Sequence, residues 1–152
     1  MTQRLNADEL VIAIGTGDNW CQAGTVTELI THGRNHHDRP HPVEASPVEL
    51  DFFDQTGRPL CPILGLDHQL VGFGRFGDAD PEAVETRLRK VIDLGLAYLA
   101  AHADKFPSLT LPALPEPGDL PALAEWIHKA ATERPGGHVA GWFHNVMHAL
   151  LG

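Results

Sequence analysis

The alternation of apolar and polar positions predicts a β-loop-α unit at the start of the chain. Residues 9–14, ELVIAI, form a short apolar run that ends at Gly15-Thr16-Gly17. That pattern is a buried strand entering a turn. A loop carrying Asp18, Asn19, Trp20 and Cys21 follows. Thr25 and Glu28 then make a T-x-x-E capping box before Leu29 and Ile30, and Gly33 supplies a stop, so residues 26–32 are expected to form a short helix. Residues 33–47, GRNHHDRPHPVEASP, have no hydrophobic period and hold three prolines, which predicts an extended surface loop.

Two β-prone runs, VELDFFD and LCPILG, flank Gln55-Thr56-Gly57-Arg58 and predict a hairpin. Pro62 has no backbone donor, which places its strand toward a sheet edge. A further run, QLVGFGRF, is read as another strand, with Gly72 and Gly74 marking a bulge or a close backbone approach. Asp80 as N-cap and Pro81 as first helical residue open a long helix reaching about Ala103, with Val84, Leu88, Val91 and Ile92 at helical spacing. Its second half, DLGLAYLAAHA, is apolar almost all round and is expected to be buried on several sides. Residues 106–121 contain five prolines with leucines between them and predict a strap over the domain. Two C-terminal helices are expected, from about Leu120 to Glu133 and from about His138 to Leu150. The fold class is therefore α+β: a small, mainly antiparallel sheet of about four strands packed by one long central helix and two C-terminal helices.

Composition narrows the class without naming an activity. A chain of 152 residues, 43% hydrophobic and 20% charged, is in the globular range. It is long enough to bury roughly 70% of its unfolded surface, so residues 1–152 are expected to form a single domain. The first residues show no secretory pattern, and the longest apolar stretch, Leu94 to Ala101, is shorter than the roughly 20 residues that cross a bilayer. Cys21 and Cys61 form no framework, which fits a reducing compartment and sets the cytoplasm as the expected location. The formal net charge of −9, from 20 acidic and 11 basic residues, repels nucleic acid and anionic membranes. Arg87, Arg89 and Lys90 are read as a solvated helix face with i,i+4 pairs such as Glu85 to Arg89.

Candidate chemistry rests on ten histidines, since imidazole both ligates metals and titrates near neutral pH. His32, His36, His37 and His41 sit in one segment with Asp38 and Glu44, a set suited to zinc or non-haem iron. His144 and His148 are spaced i,i+4 on the last predicted helix, but Asn145 stands where a zinc protease places its glutamate base. The same residues make one narrow polar stripe on an otherwise apolar helix, which is the pattern of a packed helix showing water one face. No G-x-S-x-G or phosphate-loop motif occurs, Gly15-Thr16-Gly17 lacks the third glycine of a dinucleotide fingerprint, and Asp80 reads as a helix cap rather than a calcium ligand. Cys21 is read as a buried, inert thiol.

No stretch carries a family signature. The leading expectation is a non-enzymatic acidic interaction protein, an accessory, regulator or inhibitor binding a protein partner with a basic surface, and no cofactor. The alternative is a histidine-dependent metal-binding protein or small metalloenzyme using zinc or iron at His36, His37, His41, His144 and His148. An enzyme gathers polar groups into a concave apolar pocket, whereas an interaction protein exposes an apolar patch rimmed by charge.

Overall fold

The computed structural model describes residues 3–37, 49–102, 104 and 113–132. Their elements run β1 (Leu10–Gly15), β2 (Cys21–Thr25), α1 (Val26–His37), β3 (Leu50–Phe53), β4 (Pro59–Leu64), β5 (Leu70–Arg75), α2 (Pro81–Ala101) and α3 (Leu120–Thr132). The class is α+β, with one antiparallel sheet in the order β2-β1-β3-β4-β5. The sheet has five strands rather than about four. The additional one is β2, which lies where the sequence predicted a loop. CQAGT has no strand-like apolar run; β1 recruits it as a partner, pairing Ile14 with Cys21, Ile12 with Ala23 and Leu10 with Thr25.

β1 explains the layering. Ile12 and Ile14 pack with Cys21 and Ala23 of β2 and with Leu88, Ile92, Leu123 and Ile127 of α2 and α3. Val11, between them, enters a second cluster with Leu5, Val26, Leu60 and Phe73, against which Leu29 and Ile30 of α1 pack. Successive side chains of a strand point to opposite faces, so a strand apolar at every position needs cover on both. α2 and α3 supply it on one side and α1 on the other.

α1 touches both β2 and β5, which stand at opposite ends of the strand order. The sheet is therefore curled around it. Residues just before β1 help to close the curl: Leu5 donates its N–H to Phe73 at 2.9 Å, and Arg75 donates to Gln3 at 2.7 Å. Gly72 makes room for this approach, because a Cβ there would lie 2.8 Å from Nε of Arg4. The close backbone approach expected at the β5 glycines is present at Gly74, which Arg4 bridges, while at Gly72 the neighbour is the Arg4 side chain.

Several local expectations hold, and others are corrected. Asp80 caps α2, accepting from the N–H of Ala83 at 3.1 Å, and Leu88, Val91, Ile92 and Leu99 are buried. Leu123, Trp126, Ile127 and Ala130 of α3 are buried as well. Thr25 caps α1 through a 3.1 Å bond from the N–H of Glu28, whose carboxylate in turn accepts from the Thr25 hydroxyl. Gly33 does not stop α1, however, and the helix continues to His37. A nucleated helix propagates through one glycine at a cost of about 1 kcal/mol. Residues 33–37 are therefore helix rather than loop.

Pro62 does not lie on an edge strand, since β4 stands between β3 and β5. It is tolerated because β3 pairs with β4 only at Leu60 and Pro59, so at Pro62 the strand bonds to β5 alone. The second half of α2 is not buried on several sides: Gly95 and Leu99 are buried, while Leu94, Ala97, Ala100 and Ala101 are exposed to solvent. The described part of the proline strap is held to α2. Arg89 donates to the carbonyl of Pro115 at 2.8 Å, and the N–H of Gly118 reaches Glu85 at 3.1 Å. The helix expected from about His138 to Leu150 lies outside the described residues. None of the described helices is long and apolar enough to cross a membrane.

Leu88 is fully buried between the sheet and α3. Leu88→Ala is expected to lower unfolding free energy by about 2 to 5 kcal/mol, measured by denaturant titration. An unchanged midpoint would show that this face of α2 does not form the core.

Candidate functional site

Charged side chains are drawn first into structural clamps. Arg75, on β5, bonds Glu9 ahead of β1 at 2.8 Å and Asp54 after β3 at 2.8 Å. Asp54 is the buried carboxylate of the described residues, and its other oxygen accepts from the Thr56 N–H at 2.9 Å, the Thr56 hydroxyl at 2.6 Å and the Arg58 N–H at 3.0 Å. Burial pushes this carboxyl up, but the hydrogen bonds from Thr56, Arg75 and Arg58 outweigh it and hold it below the usual carboxylate range.

Arg87 forms a second clamp. Its guanidinium meets Asp18 in the β1–β2 turn at 2.7 Å, Asp51 of β3 at 3.0 Å and the Gly15 carbonyl at 3.2 Å, above the ring of Phe53. The sequence expectation of a solvated basic face therefore fails for Arg87. Arg89 does pair with Glu85 at 3.0 Å, as the i,i+4 spacing implies. All of these carboxylates are tied to cations or turn amides, an arrangement that joins separate segments of the fold.

The cysteine and histidine candidates separate. Cys21 is completely buried on β2, and burial pushes its thiol far above the ordinary range, so it is held as an unreactive thiol. Cys61 is exposed on β4. His102 ends α2, its Nδ1 donating to the Tyr98 carbonyl at 2.9 Å while its ring stacks on Tyr98. His128 of α3 meets the Glu28 carboxylate of α1 at 2.9 Å. Of the predicted metal ligands, His36 and His37 fall in the last turn of α1 rather than in a loop. His41, His144 and His148 lie outside the described residues. Among the described residues no group of three or more His, Cys, Asp or Glu side chains is placed to hold a metal ion.

The feature that sequence reading missed is the end of the β4–β5 hairpin. Beyond Leu60 this hairpin is two strands wide, because β3 no longer accompanies β4. Cys61, Pro62, Leu64, Leu66, Asp67 and His68 are all exposed there, with Leu64 at 55% and Leu66 at 106% of full exposure. The turn is nevertheless well bonded. Gly65 donates to Gln69 at 2.8 Å, His68 donates to Gly65 at 3.0 Å, and the Asp67 carboxylate accepts from the N–H of Gln69 at 3.1 Å. One signal was available in the sequence: turn positions favour Gly, Asn, Asp and Ser, and Leu66 stands between Gly65 and Asp67 inside the turn. Comparison with protein-family models, with characterised proteins and with solved structures yields no match.

Two measurements follow. Asp54→Asn removes the charge facing Arg75 and is expected to lower stability at neutral pH by about 1.5 to 3 kcal/mol. Because the folded carboxyl lies below its unfolded value of about 4, its contribution is complete above that pH and is lost as pH falls through the lower folded value. Stability of the wild type should therefore drop more steeply below about pH 4 than that of the variant; parallel curves would refute this role for Asp54. For the metal expectation, the untagged protein should carry zinc and iron at background by elemental analysis, unchanged when His144 and His148 are both replaced by Ala. Near-stoichiometric metal that disappears in the double variant would establish the metalloprotein alternative.

Proposed function

We propose that this chain is a non-enzymatic acidic interaction protein, an accessory, regulator or inhibitor, that binds a protein partner with a basic surface. The observation that carries this reading is the ordered hairpin end that leaves Leu64 and Leu66 in water. Leu64 and Leu66 stand beside the charged Asp67 in a turn closed by three hydrogen bonds. Leaving a leucine exposed forfeits about 1.5 to 3 kcal/mol that burial would provide, and a protein surface recovers that free energy on binding. An apolar centre with charge at its rim is the composition of recognition surfaces. The formal net charge of −9 favours a cationic partner, because complementary fields speed and orient encounter. The location that fits this reading is the cytoplasm, with neither nucleic acid nor membrane as partner.

The test is reconstitution. Proteins enriched on the immobilised chain are purified individually and titrated against it by calorimetry. The expected result is saturable binding to a basic protein, weakening several-fold as salt rises from about 50 to about 500 mM while exposed charges are screened. If no purified candidate binds saturably, the interaction reading is wrong.

A further inference from the structure

The shape of the hairpin end restricts what can cover it, an inference that rests on the interaction reading above. Leu66 is accessible over its whole side chain, and Leu64 over more than half. A flat surface laid against such a point reaches only one side of Leu66. Removing all of that apolar surface from water requires walls around it, and therefore a concave partner. The hairpin end is also set before any encounter. Besides the three hydrogen bonds of its turn, a Cβ at Gly65 would lie 3.1 Å from the Asp67 carboxylate and 3.2 Å from Cγ1 of Val71, so the chain is tightly folded back at that point. His68 holds the left-handed backbone conformation, with φ of 61°, that completes the turn. A preformed protrusion gives up little conformational freedom on docking, which is where flexible loops lose affinity.

We propose that the β4–β5 hairpin end acts as a plug, with Leu66 as its tip and Leu64 as its flank, for a concave apolar cleft whose rim is cationic, so that binding occludes that cleft. The cationic rim follows from Asp67 at the tip and from the overall charge of −9. The same charge argues against a second copy as the occupant, since two such chains repel each other, and against an anionic lipid surface. Occlusion of a cleft is an inhibitor's or gatekeeper's mode of action rather than a scaffold's.

The experiment places a photo-crosslinking residue at position 66 and, separately, at the exposed positions 82 and 125, in cells that produce the full chain. The expected result is an adduct from position 66 to one protein, whose labelled residues line a single cleft. With that protein purified, Leu66→Asp should weaken binding on the order of tenfold or more, as loss of a buried anchor does. Leu66→Met should bind nearly as the wild type, and both variants should keep the wild-type melting midpoint. Adducts from 82 or 125 but not from 66 would overturn the plug while leaving the interaction reading standing. Labelling of a flat surface, or of a second copy of this chain, would overturn it as well. Absence of adducts from all three positions would sink both.

Discussion

β1 is apolar on both faces, and most of the architecture is a response to that constraint. A strand that shows water neither face must be covered twice, so the molecule has a helix layer on each side of its sheet. Ile12 and Ile14 are covered by α2 and α3, and Val11 is covered from the side of α1. For one short helix to cover a sheet whose two ends it also touches, the sheet has to curl. The pairing of residues 3–5 with β5 is the chain's own closure of that curl.

Ion pairs secure the places where the curl and the helices meet the sheet. Arg75 ties the entrance of β1 to the β3–β4 turn, and Arg87 ties α2 to the β1–β2 turn and to β3. Each guanidinium reaches two carboxylates from separate chain segments, a use for which its planar, forked donors suit it better than a lysine ammonium. Gly57 belongs to the same junction. It adopts a φ of 82°, and a Cβ there would lie 2.6 Å from Pro81, so the β3–β4 turn and the start of α2 share one tight contact. The carboxylates in these clamps, Glu9, Asp54, Asp18 and Asp51, each face a guanidinium that ties separate chain segments together.

One feature of the sheet produces both its tolerance of Pro62 and the exposed apolar hairpin end. β3 pairs with β4 only through Phe52 and Phe53, its Leu50 and Asp51 pairing with β1 alone, so β4 loses its second neighbour after Leu60. From there the hairpin runs without β3 beside it and ends in an ordered turn, Gly65 to Gln69, in which Leu66 stands exposed among polar residues, with Leu64 exposed just before it. Stability does not require those leucines where they stand. The proposed function follows from the mismatch between their chemistry and their surroundings.

The sequence alone determined the parts governed by local rules: α2 from Asp80, Pro81 and its buried 3.6-residue period, α3 from its apolar face, the β3–β4 hairpin from its glycine turn, and β1 from its uninterrupted apolar run. These depend on propensity, capping and periodicity, all of which act within a few residues. Tertiary structure decided the rest. CQAGT became a strand because β1 offered it hydrogen bonds, α1 outran Gly33 because an existing helix continues cheaply, and Arg87 became a partly buried clamp because Asp18 and Asp51 converge on it from distant positions. Leu64 and Leu66 were indistinguishable from core residues by hydrophobicity. That they remain in water depends on where the pairing of β3 with β4 ends and on the turn that follows, which are properties of the fold rather than of hydrophobicity.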